Sequence, residues 1–463
     1  METLQRTANR GSISTGPYQI DNSLKFEADN REYLRWNDIS SYASSTRKKT
    51  FSFSAWVKLT EVGSQCMIWS TAANGYLTIQ ASGVIKWQQT YGGVQKTLNT
   101  NRVFRDTSAW YNIIIAVDST QSTEANRSRL YVNGVEETSF SSATYPSQNA
   151  EAQNVYEQHH YVGEWGGGGS GWCGYIANPT FISDAQITPS DVGEFDEDSG
   201  IWIPKAYGGA ISSPSYFLEF KDSSNLGNAT SGLNVSTLEN ITSADQATDT
   251  PTNNFCTLNP LYNYAYGNTI TEGATKIYGA PNNWGGGKAT FGLTSGKWYW
   301  EIKQLGNSNT FMGLQTDGED NISSGNAHSQ NTTVCFYTDG TIQYSNGSET
   351  GTGASNSIAA NSIVGFALDL DSSTQTIKVY LDGSLITAFG SSGTANLSTY
   401  NLADKTVFPF VALYDRTVNM NFGGYTVSTI SSAATDANGY GTFEYAPPTG
   451  YYALCTKNLA EFG

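Results

Sequence analysis

Residues 364–383 read VGFALDLDSSTQTIKVYLDG. Ile363–Leu370 is an apolar run of strand length whose one charge is Asp369, as a buried central strand requires. A polar excursion follows, and Ile377, Val379 and Leu381 then alternate with Lys378 and Tyr380. Asp382-Gly383 closes the stretch with the residue pair that a two-residue hairpin with positive φ at both centres demands. Buried strand, loop, alternating strand and tight hairpin are the grammar of an antiparallel β protein. The same order occurs upstream, where Ile113–Asp118 (IIIAVD) is followed by an excursion and by Leu130–Gly134 (LYVNG). Two copies in one chain imply an all-β fold of two antiparallel β-sandwiches, and two jelly rolls satisfy the pattern. A length of 463 residues agrees with about two or three domains.

Further strands extend both halves. FSFSAWVKL (51–59), CMIWS (66–70), GYLTIQ (75–80), VIKWQQ (84–89), WYNIIIAV (110–117) and residues 172–182 belong to the first; KWYWEIK (297–303), 311–314, 334–337, 341–344, 408–413 and 417–422 belong to the second. Asp339-Gly340 is a further hairpin signal. Thr188-Pro189 places an N-cap and a first-turn proline, which predicts a short helix with the acidic run Glu194–Asp198 at its solvated end. Between the halves the composition shifts to Ser, Thr, Asn, Asp and Gly. The expected organisation is an N-terminal arm (1–20), a first sandwich (21–207), a polar connector with one strand, SYFLEFKD (208–259), a second sandwich (260–443) and a C-terminal strap (444–463).

Composition narrows the function. Charged residues are 14% of the chain and aromatic residues 13%, with 47 Gly, and the net charge is −16. That charge argues against nucleic acid as a partner, because phosphate binding needs stripes of Lys and Arg. Five widely spaced cysteines, Cys66, Cys173, Cys256, Cys335 and Cys455, match no metal-ligand spacing, and their odd number argues for buried reduced thiols. METLQRTANRGSISTG (1–16) has no apolar segment and reads as lacking a secretory signal. Nowhere do about 18 apolar residues run together as a membrane span would require.

Two resemblances rest on these residues. FSFSAWVKL, WYNIIIAVD, RLYVNG and WCGYIANPTFISDAQIT resemble the laminin-G-like, concanavalin-A-type jelly roll. KWYWEIK, VGFALDLDSSTQTIKVYLDG and FPFVALYDRTVNMNFG, in that order, resemble a SPRY domain. The pairing of the two with the tail YAPPTGYYALCTKNL resembles structural proteins of marine tailed bacteriophages, tail fibres or appendages. That resemblance implies a non-enzymatic virion protein, made in the host cytoplasm, that contacts other virion proteins and binds host-surface glycan or protein, with trimers common. A purely architectural capsid or tail connector is the alternative. The laminin-G-like resemblance implies no cofactor beyond a calcium ion at the sandwich edge, for which Asp118 is the one position carried over; the other reading is a solvated Asp at a strand end.

A polysaccharide hydrolase is the third reading. Jelly-roll glycosidases carry alternating carboxylates on one strand, and Glu194-Phe195-Asp196-Glu197-Asp198 comes nearest, although retaining chemistry needs its two carboxyls about 5 Å apart. The only histidines are His159, His160 and His328, with no nucleophile motif to serve. Neighbouring His159 and His160 would point to opposite faces of a strand, so a loop pair is expected there. Binding candidates are Trp165 and Trp172, which flank a Gly-rich loop, and Trp284, which precedes Gly285-Gly286-Gly287. Exposed Trp beside such a loop suits stacking on a sugar or anchoring in a partner; the other reading is a buried Trp entering a tight turn. Tyr414 and Arg416 join them from the SPRY-like segment that often borders the binding face.

Overall fold

The computed structural model describes residues 18–37, 39–72, 75–156, 158–166, 168–262, 267–306, 308–316, 333–338, 342–344, 348–350, 358–387 and 392–463. It divides between Thr252 and Asn253 into two compact units, each an antiparallel β-sandwich. Asp339-Gly340 and His328 lie outside the described residues.

In the first unit one sheet runs, in spatial order, Val135–Glu136, Ser128–Val132, Trp110–Asp118, Thr50–Leu59, Gly174–Ser183, Ser23–Phe26 and Gln246–Ala247. The facing sheet runs Phe140–Ala143, Val94–Val103, Val84–Tyr91, Gly75–Ile79, Cys66–Thr71, His160–Val162, Tyr33–Trp36 and Thr237–Glu239. Alternate residues fill the space between them: Phe51, Phe53, Ile113 and Ile115 from one sheet, Ile68, Leu77, Ile85 and Trp87 from the other. Trp110–Asp118 is apolar on both faces because Ile114 and Ala116 sit under a second cluster with Ile187 and Val192. At Asn133-Gly134 φ is 48° and 79°, the left-handed pair that the hairpin sequence predicts. Gly174–Ser183 carries a bulge between Ala177 and Thr180, where Pro179 is tolerated because the ladder is interrupted. Residues before the bulge pair with Ser23–Phe26 and those after it with Tyr216–Phe217.

The polar stretch after residue 208 lies mostly on this first sandwich. It adds the short edge strands Tyr216–Phe217, Ser231–Gly232, Thr237–Glu239 and Gln246–Ala247. Edge strands of two or three residues join a sheet through backbone hydrogen bonds, so they need no apolar periodicity. The predicted helix after Thr188 is one 3₁₀ turn, Pro189–Asp191, and the acidic run forms a hairpin instead: Gly193–Phe195 pairs with Trp202–Pro204. Packing decides this, because the Gly193 Cα and the Gly134 Cα both lie against the Trp202 indole. His160, expected in a loop, is the first residue of a strand and is wholly buried.

In the second unit one sheet runs Thr269–Thr271, Lys276–Tyr278, Thr417–Asn421, Lys297–Gln304, Ile363–Asp369, Thr376–Leu381 and Ser384–Leu385. The other runs Trp284–Lys288, Val407–Tyr414, Thr310–Thr316, Thr333–Tyr337, Ile342–Tyr344 and Ser348–Thr350. Trp298, Trp300, Ile302, Phe366, Met312, Leu314 and Val411 form the core. The opposite face of Lys297–Gln304 is covered by the chain's end: Tyr299 packs with Phe443, Ala453 and Cys455. The buried Glu301 carboxylate there accepts the backbone N–H groups of Glu444 (2.9 Å) and Tyr445 (2.8 Å) and the Asn421 amide (3.1 Å). The terminal segment adds a parallel two-residue strand, Tyr452–Ala453, and a helix, Thr456–Phe462.

Candidate functional site

The outer face of the second sheet of the second unit gathers aromatic side chains. The register pairs Trp284 with Tyr414 and Phe311 with Tyr337. Trp284 lies with its ring centroid 4.9 Å from Phe311, 5.6 Å from Tyr414 and 6.3 Å from Tyr337; Phe311 stacks on Tyr337 at 4.3 Å. Phe311 is buried beneath the group, with Cys335 and Phe410, while Trp284, Tyr337 and Tyr414 are half-buried. Gly285 allows the close approach that starts this strand, because a Cβ there would meet the Asn268 side-chain oxygen.

Polar groups edge the rings. Tyr337 Oη donates to Asn309 Oδ1 (3.3 Å). Arg416 donates to the Asp415 carbonyl (2.7 Å) and to Ser308 Oγ (3.3 Å), held by the turn in which Asp415 has φ 51°. The Asp415 carboxylate accepts from Tyr278 Oη, and that bond, more than burial, raises the Tyr278 pKa. The result is an apolar, partly exposed platform with a guanidinium and amide rim. It can stack on a planar or sugar-like surface and can meet an acidic group at its edge. Trp284, Tyr414 and Arg416 were legible as candidates, whereas Phe311 and Tyr337 join them only through strand register.

Trp165 and Trp172 do not form a second platform. Trp172 is wholly buried in the main core of the first sandwich. Trp165 is half-buried, and its loop is closed by the Glu164–Gly171 bridge and by Gly166 N–H donating to Ser70 Oγ (3.0 Å). A Cβ on Gly166 would come within 2.5 Å of Ala72 Cα, so this glycine serves close packing. The first sandwich instead carries an open cleft of about 630 Å³ lined by Lys48, Tyr91, Val94, Lys96, Glu151 and Asn154, among others. Three chain segments far apart in sequence build it, so no local motif announces it.

Asp118 ends its strand as a turn cap. Its carboxylate accepts from Thr120 N (3.0 Å), Thr120 Oγ1 (2.6 Å), Gln121 Nε2 (2.7 Å) and Thr50 Oγ1 (3.3 Å). Burial alone would raise its pKa, but these hydrogen bonds outweigh burial and hold the carboxyl below the ordinary range. A calcium ion needs about six to eight oxygen ligands, and this set of hydrogen donors around one carboxylate does not fit it. Among the described residues, the trio whose ligand atoms do converge is Glu27, Glu61 and Cys173, within 4.8 Å of one another. There Cys173 Sγ donates to Glu27 Oε1 (3.6 Å), and burial, with the two carboxylates, pushes the thiol pKa far up. Metal binding would have to expel that proton.

The chemistry of hydrolysis is not assembled around Glu194. It lies exposed in the hairpin, 3.8 Å from Lys205 Nζ, while Asp196 caps the turn through Ser199. His160 is a core residue: its Nε2 meets the Val155 carbonyl (2.6 Å) and its Nδ1 the Tyr216 hydroxyl (3.4 Å). All five cysteines are buried and free. No helix among the described residues is long and apolar enough to cross a membrane.

Residues 29–192 match the concanavalin A-like lectin/glucanases superfamily, a match confined to the first sandwich. Comparison with curated proteins finds no match. Among solved structures, the chain is similar to the SPRY domain of human HERC1, at 18% identity over 33% of this chain and 91% of that one, with a TM-score of 0.26. It is similar to a heptameric SAP-like pentraxin from Limulus polyphemus, at 13% identity over 36% of this chain and 78% of that one (TM-score 0.26). It is also similar to domains LG4-5 of the mouse laminin alpha1 chain, at 10% identity over 94% of this chain and 97% of that one (TM-score 0.31).

Proposed function

We propose that this chain is a non-enzymatic binding protein that recognises a glycan or protein surface through the outer aromatic face of its second sandwich. The observation that carries the reading is the contiguous set Trp284, Phe311, Tyr337 and Tyr414, with three of the four rings half-exposed and Arg416 held at the rim. A half-exposed aromatic cluster buries large area on contact at little entropic cost, which is the chemistry of sugar stacking and of interface anchors. The concanavalin A-like match of the first sandwich agrees with a binding role, and its open cleft offers a second contact surface.

The setting we propose is a bacteriophage virion, with the chain as a tail fibre or surface appendage made in the host cytoplasm and assembled with sibling virion proteins, as a homotrimer. The pairing of a laminin-G-like with a SPRY-like sequence supports this. The test is to screen the purified chain against a glycan array and against whole bacterial cells. Saturable binding that falls in Trp284→Ala supports the reading. Absence of binding to any glycan or susceptible strain, with Trp284 shielded in assembled particles, would replace it with a purely architectural role.

A further inference from the structure

Three ionisable side chains meet inside the first sandwich. Lys25 lies on its first strand, Ser23–Phe26, which pairs antiparallel with Gln246–Ala247 in the register Ser23 to Ala247 and Leu24 to Gln246. Continuing that register brings Asp245 opposite Lys25. Lys25 Nζ is 2.9 Å from Asp245 Oδ1 and 2.9 Å from each oxygen of Glu32. The side chains of Lys25, Glu32 and Asp245 are only 2%, 4% and 10% exposed.

Each carboxylate is locked in place. Asp245 Oδ2 accepts the backbone N–H (2.8 Å) and hydroxyl (3.2 Å) of Thr242. Glu32 accepts from the Glu27 N–H (2.8 Å) and the Asn30 amide (3.2 Å). One ammonium therefore faces two oriented carboxylates away from water, so this trio buries a net negative charge. A low-dielectric site disfavours such charges, so moving a proton from the lysine to a carboxylate is easier there than in water. It also holds the Lys25 nitrogen beside the Asp245 carboxyl group, 2.9 Å from Oδ1, for as long as the domain stays folded.

We propose that Lys25 and Asp245 join spontaneously in an intramolecular isopeptide bond, with Glu32 as the catalytic proton carrier. Proton transfer from the Lys25 ammonium to the Asp245 carboxylate gives an amine and a carboxylic acid. The Nζ lone pair attacks Asp245 Cγ. Glu32 takes a proton from the attacking nitrogen and returns it to the departing hydroxyl. The Cγ–O bond breaks, one water leaves, and the Nζ–Cγ amide remains. Ammonium plus carboxylate becomes amide plus water, so no oxidant or further reactant is required. The bond staples the strand Ser23–Phe26 to the turn Ser243–Asp245 that leads into Gln246–Ala247, independently of the binding role proposed above.

Lys58 and Asp249 supply an internal contrast. They too are buried, at 0% and 1% exposure and 2.6 Å apart. There the second Asp249 oxygen accepts from the Trp110 indole N–H (3.0 Å), and an indole cannot relay a proton.

The test is the intact mass of the denatured full chain, followed by tryptic mapping. The expected result is a mass lower than that of the sequence by one water, no cleavage after Lys25, and a branched peptide joining Lys25 to Asp245. Glu32→Gln should keep the full sequence mass. Asp245→Asn offers the same carbonyl with an ammonia leaving group, so it should lose one ammonia and give the same branched peptide. Wild-type protein at full sequence mass, with normal cleavage after Lys25, would overturn the proposal. So would a water lost elsewhere, and loss of water by Glu32→Gln would overturn the assigned role of Glu32.

Discussion

Replacing His160 with glutamine should flatten the acid sensitivity of the first sandwich. His160 is enclosed by Trp69 and Phe181, whose rings it meets edge-on at 5.4 and 4.7 Å. The Tyr216 hydroxyl also accepts from Trp69 Nε1 (3.0 Å), leaving its own proton for His160 Nδ1, so the imidazole is held neutral with Nε2–H donating to Val155. Burial lowers its pKa from 6.5 to about 4. The unfolded chain therefore takes up a proton below pH 6.5 that the folded chain refuses until pH 4, and stability is lost as pH falls through that window. At 1.36 kcal/mol per pKa unit the full loss is about 3 kcal/mol, of which about 2 kcal/mol has gone by pH 5. The carboxyls of Glu32, Glu164 and Glu301, raised first of all by burial, act in the opposite direction, because protonation favours their folded state. The readout must therefore be a difference between proteins. Urea titrations at pH 7 and pH 5, followed by hydrogen exchange of the His160–Val162 strand, report this sandwich alone. His160→Gln keeps an N–H for Val155 and costs some packing at both pH values, but its loss between them should be smaller than that of wild type by about 2 kcal/mol. Equal losses in the two proteins would refute the reasoning.

Other perturbations have comparably direct outcomes. Glu301→Ala strands the N–H groups of Glu444 and Tyr445 and the Asn421 amide; the second unit should lose about 2–4 kcal/mol, with faster exchange of residues 444–454, measured by exchange mass spectrometry. Asp249→Ala leaves the Lys58 ammonium and the Trp110 indole N–H without that carboxylate in the core, so a loss of about 3–5 kcal/mol is expected in urea titration of the first sandwich. Gly134→Ala puts a methyl 2.3 Å from the Trp202 ring at φ 79°. It should destabilise the first sandwich, in urea titration, by more than the about 1 kcal/mol of backbone strain alone.

The strands that could be read from sequence are those with one face against a core. Thr50–Leu59 and Lys297–Gln304 announce themselves by alternation, and both tight hairpins by Asn-Gly and Asp-Gly. Val94–Val103 reads VQKTLNTNRV and is largely exposed, so no apolar period marks it; sheet pairing, not burial, makes it a strand. The polar residues after 208 mislead for a related reason. Their contribution to the first sandwich is made by backbone pairing and by single buried carboxylates, Asp245 and Asp249, which resemble linker residues until their lysines are located. Trp165 and Trp284 look alike beside their glycine runs. What separates them is what the following strand pairs with, and that is a property of register. The same limit hides the meeting of Lys25 with Asp245.

The central claim, recognition through the aromatic face of the second sandwich, is tested most directly by titrating wild-type, Trp284→Ala and Trp165→Ala proteins with a ligand taken from the glycan or cell screen. Truncating a central stacking residue removes about 2 kcal/mol or more, so Trp284→Ala should weaken binding by at least about thirtyfold, while Trp165→Ala should bind as wild type does. Unchanged affinity in folded Trp284→Ala, with the loss falling on Trp165→Ala, would contradict the account.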